Sequence, residues 1–319
     1  MQQQAKIFVA GYRGLVGSAI VRSLHKQGYT HLLLKTRDEL DLTQQSSVQD
    51  FFATEKPDYV FMAAAKVGGI VANNTYPADF AYQNQLIQMN IIHAAWKNNV
   101  KRLLFLGSSC LYPRDCPQPM REEHLLTGLL EPTNKAYALA KISGISMCES
   151  FNKQYGTKYL VGMPTNLYGP NDNYDLQASH VIPALMRKIH EAKQSNASSV
   201  DVWGSGVAMR EFLHSDDLAD AVVYLLNLPD AQYEPLLTCS TTGPIVNIGY
   251  GKDISIKALV ELLCEIVQFH GDVKWDTSKP DGTPKKLLNT EKINAIGWQP
   301  KLNFADELKK IYADKFACA

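Results

Sequence analysis

The sequence predicts an α/β protein, a doubly wound parallel sheet followed by a smaller mixed C-terminal lobe. Three observations predict it. Short apolar runs of strand length alternate with amphipathic stretches of helical length through the first half. The first run empties into a glycine-rich turn that opens a helix, and the alternation breaks down after Pro164.

Taken in order, residues 6–10, 31–35, 59–65, 102–107 and 158–163 read as buried strands. The stretches between them, 15–27, 46–56, 78–98 and 134–155, have helical length and period. Strands separated by helices pair in parallel, with both faces of the sheet covered. Beyond Pro164, 166–175 reads as loop and 181–194 as helix. Residues 200–203 and 211–214 read as short strands, and 215–228 as a helix with Ser215 or Asp216 at its N-cap. The run 245–248 is a buried strand that returns to the main sheet. Residues 255–270 are amphipathic, 279–284 form a turn-rich loop and 306–316 a closing helix.

At 319 residues, 45% hydrophobic and 20% charged, the chain is an ordinary globular protein with room for two modest domains. Thirty-two basic residues balance thirty-two acidic ones, so no global field draws it to nucleic acid or an anionic membrane. An anionic ligand must meet a local basic cluster. No run approaches the roughly twenty apolar residues of a membrane span, and the N-terminus lacks a basic segment leading into a long apolar one. The six cysteines, Cys110, Cys116, Cys148, Cys239, Cys264 and Cys318, show neither paired nor zinc-finger spacing. Neither a disulfide framework nor a metal is signalled, and a reducing, cytoplasmic setting is expected.

The first strand runs into Gly11-Tyr12-Arg13-Gly14-Leu15-Val16-Gly17. Glycines belong where a backbone turns tightly and approaches a pyrophosphate at a helix N-terminus. Directly after the first strand of a βαβ unit, the turn points to a Rossmann-type dinucleotide site, although its G-x-x-G-x-x-G spacing departs from the commoner G-x-G-x-x-G. About twenty residues on, where an NAD site offers an acid to the ribose, the sequence reads Lys35-Thr36-Arg37-Asp38. Arg37 and Arg13 suit a 2′-phosphate, which favours NADPH. Asp38 is the residue that speaks for NAD.

Of fifteen tyrosines only Tyr137 has a lysine four residues later, Lys141, one turn along the same helix face. Alone, the pair reads as a half-buried tyrosine beside a surface lysine. Its helix, however, follows a strand ending in Leu106-Gly107-Ser108-Ser109-Cys110, at the edge of the sheet that bears ligands. Reducing a ketone with hydride requires a proton for the developing alkoxide. Tyr137 is the acid, Lys141 lowers its pKa and holds a ribose, and Ser108 positions the carbonyl.

The glycine turn, the Gly-Ser-Ser strand end, Tyr-x-x-x-Lys and Asn166-Leu167-Tyr168-Gly169-Pro170 together resemble the extended short-chain dehydrogenase/reductase family. Further segments are similar to its members that act on GDP-keto-sugars. These are Ala64-Ala65-Lys66-Val67-Gly68-Gly69-Ile70, Asn73-Asn74-Thr75-Tyr76-Pro77, Ser108-Ser109-Cys110-Leu111-Tyr112-Pro113, Met163-Pro164-Thr165-Asn166, Ser179-His180-Val181-Ile182-Pro183 and Met209-Arg210-Glu211-Phe212-Leu213-His214. The resemblance runs from Ile7 to about Trp298.

It implies a bifunctional reaction: 3,5-epimerisation of GDP-4-keto-6-deoxy-D-mannose, then NADPH-dependent 4-reduction to GDP-L-fucose. It makes Cys110 and His180 the base and acid of epimerisation. The NADP(H) site it implies comprises Gly11, Arg13, Gly14, Leu15, Val16, Gly17, Arg37, Leu106, Gly107, Lys141, Pro164, Asn166, Leu167 and His180. The GDP-sugar falls to Lys188, Trp203, Arg210 and Asp281. Lys188 stands where an arginine is expected, with Arg187 as a possible substitute. His214 and Asp217 read as supports for the following helix. Residues 1–165 are the NADP-binding domain, with return segments near 211–229 and 245–250, and 166–319 are mainly the GDP-sugar lobe. A homodimer through helices of the main domain is implied.

Competing readings are separable by residue. A nucleotide-sugar 4,6-dehydratase needs an acid pair where Ser109-Cys110-Leu111 stands, and Arg37 speaks against a tightly NAD-bound UDP-sugar 4-epimerase. Reduction at C4 alone leaves Cys110 and His180 without a role. A silent NADPH-binding regulator has no use for a complete triad.

Overall fold

The structure is a computed structural model that describes residues 1–176, 179–279 and 281–316. Pro280 and Cys318 therefore lie outside the described residues. Its elements, in chain order, are β1 (Ile7–Ala10), α1 (Leu15–Lys26), β2 (Leu32–Leu33), α2 (Gln45–Glu55), β3 (Tyr59–Met62), α3 (Ile70–Thr75), α4 (Pro77–Lys97), β4 (Arg102–Leu106), α5 (Lys135–Tyr155), β5 (Tyr159–Pro164) and β6 (Asn166–Tyr168). They continue with α6 (Val181–Gln194), β7 (Ser199–Trp203), β8 (Met209–His214), α7 (Ser215–Asn227), α8 (Asp230–Leu237), β9 (Ile245–Ile248), β10 (Asp253–Ser255), α9 (Ile256–Val267), β11 (Asp272–Asp276), β12 (Lys285–Lys286), α10 (Glu291–Ala295) and α11 (Phe304–Phe316).

Six strands form the main sheet in the order β2-β1-β3-β4-β5-β9, every neighbouring pair parallel. Alternation along β1 explains why both faces are covered. Ile7 and Val9 pack with Ala19, Ile20 and Leu24 of α1 and with the apolar face of α7. Phe8 and Ala10 turn the other way, into a cluster with α2, α4 and α5. There Phe8 meets the rings of Phe51 and Phe52 at centroid distances of 4.8 and 5.7 Å. Each such side chain, fully buried, contributes about 1.5–3 kcal/mol. The expected return of 245–248 holds, because β9 extends the sheet beyond β5.

Successive connections leave β1 toward β2 on one side and then enter β3 on the other, so the chain reverses direction between β1 and β3. This is the switch point at which such sheets bind ligands, beyond the carboxyl ends of the strands.

A third core cluster gathers Tyr168, Ile182, Met186, Phe212, Leu259 and Leu308, among others. It lies with β8, which pairs antiparallel with β10 and in parallel with β12 and β6. A separate parallel pair joins β7 to β11. Two expectations are corrected here. Residues 166–168 are not loop: their register against Phe212–His214 makes them the strand β6. The N-cap of α7 is neither Ser215 nor Asp216 but His214, whose imidazole Nδ1 accepts from Asp216 N at 3.1 Å. Asp217 instead accepts from Lys301 N and Leu302 N, both at 3.1 Å, tying down the chain that leads to α11.

Candidate active site

The glycine turn sits at the switch point. A side chain on Gly11 would come within 2.8 Å of the Ala64 backbone, and one on Gly17 within 2.1 Å of Gly11 O. Gly11, at φ +80°, and Gly17 are therefore demanded by the turn and by close helix–strand approach. Gly14 differs, its nearest neighbour in that position being 3.5 Å away. It is the N-cap of α1, whose first turn carries no acidic residue, so the N–H groups of Leu15, Val16 and Gly17 open a helix suited to a pyrophosphate. The residues present thus fit a dinucleotide. Arg13 is exposed, its Nε 3.2 Å from Tyr12 OH, and Arg37 is exposed beyond β2. Both reach the same neighbourhood as two carboxylates: hydrogen bonds from Thr36 hold Glu39 below its ordinary pKa, aided by Lys35 and Arg13, and Asp41 is lowered by Thr43 and then Arg37.

Ser108, at the end of β4, caps a short 3-10 turn, and its hydroxyl accepts from Cys110 N at 3.2 Å. Gly107 before it is required, since a Cβ there would strike Met163 Sδ at 2.3 Å. The same turn therefore fixes the serine and aims the cysteine. Tyr137 comes from the first turns of α5, its ring edge-on to Phe80. Burial pushes the phenol's pKa well up, the Cys110 charge adds to this, and a hydrogen bond with Ser108 opposes it.

One turn further on, Lys141 is 3% exposed, with Nζ 4.3 Å from the centre of the Phe105 ring. Burial lowers its pKa from 10.5 to about 7, partly offset by Cys148. The expectation that Lys141 depresses Tyr137 is not met in this arrangement. The groups acting on Tyr137 are Cys110 and Ser108, and burial dominates both residues. The phenol is therefore protonated throughout the neutral range.

α5 is held hard against its neighbours. A Cβ at Gly144 would lie 2.7 Å from both Gln88 Oε1 and Phe105 Cζ, while Gln88 of α4 donates to Ala140 O and to Ser143 Oγ. These contacts set the height of Tyr137 and Lys141 over the sheet edge.

Pro164 ends β5. Asn166 and Leu167 lie in β6 opposite Phe212 and Leu213, with Asn166 Nδ2 donating to Glu211 O at 3.0 Å. Leu106 closes β4 opposite Gly162. His180 is the N-cap of α6, exposed as a residue, and partial desolvation of its imidazole lowers its pKa below the ordinary value.

The second lobe brings the remaining residues together. Lys188 of α6 places Nζ 5.1 Å from the Trp203 ring centre, and Lys279 approaches the same ring at 5.6 Å; Trp203 itself is 54% exposed. Arg210 donates to Met209 O and Asp281 O. Burial lowers its pKa, while the charges of Cys110 and Asp281 raise it. The Asp281 carboxylate accepts from Ser205 N and Ser205 Oγ, both at 2.7 Å, which hold it below its ordinary pKa. Arg187 does not stand in for an arginine at 188. It is engaged by Glu191 at 2.7 Å and by Tyr174 O at 3.0 Å, a hundred degrees around the helix.

Sequence reasoning missed Lys286. It lies on the two-residue strand β12, with Nζ 3.8 Å from Cys110 Sγ. No periodicity can reveal so short a strand. Among the described residues no His, Cys, Asp and Glu cluster could hold a metal, and no helix is long and apolar enough to cross a membrane. The five described cysteines are free.

A glycine turn at the switch point and a Ser, Tyr and Lys set at a neighbouring strand end define a class, the dinucleotide-dependent oxidoreductases and epimerases of short-chain type. Residues 7–249 match the model of the NAD dependent epimerase/dehydratase family, and the chain belongs to that family. It is 57% identical to the putative GDP-L-fucose synthase 2 of Arabidopsis thaliana, over 98% of this chain and 92% of that one. It is 52% identical to the GDP-L-fucose synthase of Escherichia coli K12, over 96% and 95%. Among solved structures, MlghC, a GDP-mannoheptose C4 reductase from Campylobacter jejuni with NADP bound, is 39% identical with a TM-score of 0.88, over 98% of each chain.

Proposed function

We propose that the chain converts GDP-4-keto-6-deoxy-D-mannose to GDP-L-fucose by epimerisation at C3 and C5 and NADPH-dependent reduction at C4. One observation carries the reading: a single turn after β4 presents Ser108 and Cys110 together against Tyr137. The names of the relatives support the substrate.

The Gly11–Gly17 turn, Arg13, Arg37, Leu106, Gly107, Lys141, Pro164, Asn166, Leu167 and His180 would hold NADP(H), which supplies hydride when bound. Arg210 and Lys188 face the diphosphate, Trp203 offers a ring to base or sugar, and Asp281 accepts from ribose or guanine donors. Protons at C3 and C5 are acidified by the C4 ketone. Cys110 removes them and His180 returns a proton from the opposite face. Ser108 holds the ketone oxygen, and the phenol of the half-buried Tyr137, protonated at the outset, delivers the proton that completes reduction.

Residues 1–165 carry the dinucleotide and 166–319 mainly the sugar nucleotide. We assign the protein to a reducing, cytoplasmic compartment and to a homodimer. The dimer is supported by the adjoining helices α4 and α5, which leave Tyr82, Met89, Leu139 and Tyr155 exposed.

Incubation with GDP-4-keto-6-deoxy-D-mannose and NADPH in deuterated water tests the reading. It requires NADPH oxidation with deuterium at both C3 and C5. Oxidation without label leaves a plain C4 reductase, the activity named for the Campylobacter jejuni protein. Tyr137→Phe abolishes oxidation while cofactor binding persists.

A further inference from the structure

The chain on either side of Lys286 is pinned by hydrogen bonds. β12 runs parallel to β8 with Lys285 opposite Met209 and Lys286 opposite Arg210. Met209 N donates to Pro284 O at 2.8 Å, Leu287 N to Gln118 Oε1 at 2.9 Å, and Leu288 N to Glu211 Oε2 at 3.0 Å. Met120 N closes on Leu287 O at 2.7 Å. Neighbouring side chains on a strand point oppositely: Lys285 reaches Asp253 at 3.2 Å, whereas Lys286 reaches the Cys110 sulfur at 3.8 Å. A tie of this kind at both ends of a two-residue strand is more than a solvated surface lysine needs. Among the described residues, the titratable groups that act on Cys110 include Tyr137 from α5, Arg210 from β8 and Lys286 from β12, and the last two are cations.

We infer that Lys286 is a positioning residue for epimerisation, its ammonium pairing with the Cys110 sulfur and holding it as the thiolate that removes the C3 and C5 protons. The inference rests on the epimerase half of the proposed function. In each epimerisation the thiolate takes the proton, and the C–H electron pair moves into the ketone to form an enolate. His180 then gives a proton to the opposite face of the same carbon. Cys110 ends protonated and His180 deprotonated, exchange with water resets both, and Lys286 keeps its proton throughout. Solvent deuterium enters at the reset.

The test compares wild type with Lys286→Met and Lys286→Arg. Cys110 alkylation by iodoacetamide is followed against pH by peptide mass spectrometry, and deuterium entry at C3 and C5 is followed against pH with the GDP-keto-sugar. Lys286→Met is expected to move the alkylation midpoint to higher pH. It slows deuterium entry about tenfold or more at neutral pH, with recovery as the pH rises. Lys286→Arg keeps the wild-type profile within about threefold. An unchanged midpoint in Lys286→Met overturns the inference, as does a loss confined to KM, which would make Lys286 a substrate ligand only. Absence of deuterium entry in wild type would instead defeat the epimerase reading, while the alkylation profile still decides whether Lys286 acts on Cys110.

Discussion

Replacing Lys141 by Met should make the cofactor-free protein more stable while destroying its turnover. Lys141 is 3% exposed against the Phe105 ring, and burial carries its pKa from 10.5 to about 7. At about 1.4 kcal/mol per pH unit, that displacement means the ammonium is held in the folded state at a cost of ~4–5 kcal/mol. Met fills a similar volume without charge, and with local relaxation the expected gain is about 2–4 kcal/mol near neutral pH. The sign follows from proton binding. Between about 7 and 10.5 the unfolded chain binds the proton that the folded one sheds, so wild-type stability rises with pH across this window. The penalty is complete below it and gone above it. Urea titrations of both proteins without cofactor at pH 6.5 and 9.5 should give a large difference at the lower pH and a small one at the higher, with unchanged m-values. A wild type as stable as the variant at pH 6.5, or a gap that widens with pH, would refute the reasoning.

Other expectations follow from single contacts. Gly144→Ala should lift α5 from Gln88 and Phe105, costing about 1–3 kcal/mol in urea titration and lowering kcat more than cofactor affinity. Gly17→Ala should lose the folded turn, whereas Gly14→Ala should leave thermal stability near wild type and weaken NADP binding, because only Gly14 has room for a methyl in the bare protein. Calorimetry with NADP separates these two, and equal stability losses would be the wrong outcome. Arg37→Asp should shift the ratio of NADPH to NADH turnover toward NADH by about tenfold or more, and an unchanged ratio would remove Arg37 from the 2′-phosphate.

The main sheet was legible because its strands are apolar and its helices amphipathic: α6 and β9 lie where the pattern puts them, and α1, α2, α4 and α5 shift by a residue or so at either end. β6 was not legible, since Asn166-Leu167-Tyr168-Gly169-Pro170 carries turn chemistry and only its pairing with β8 makes it a strand. The cap at His214 escaped because an imidazole is not among the usual N-cap residues. The Ser, Tyr, Lys and Cys of the proposed site came from spacing and resemblance. The electrostatics did not: no sequence rule announces that Phe105 lies beneath the Lys141 ammonium, or that β12 delivers a second cation to Cys110.

Glu211 has a wider consequence. It is fully buried; its carboxylate accepts from Gly251 N at 2.7 Å and Leu288 N at 3.0 Å, and its carbonyl accepts from Thr165 Oγ1 and Asn166 Nδ2. Three separate passages of chain between the sheet and the second lobe thus meet at one residue, which Gly249 approaches with no space for a side chain. A hinge there would have to break all of these bonds at once, each left buried and unpaired. The two halves consequently behave as one riveted body at this seam. A swinging of lobes to admit a sugar nucleotide would have to tear this seam or pivot about it.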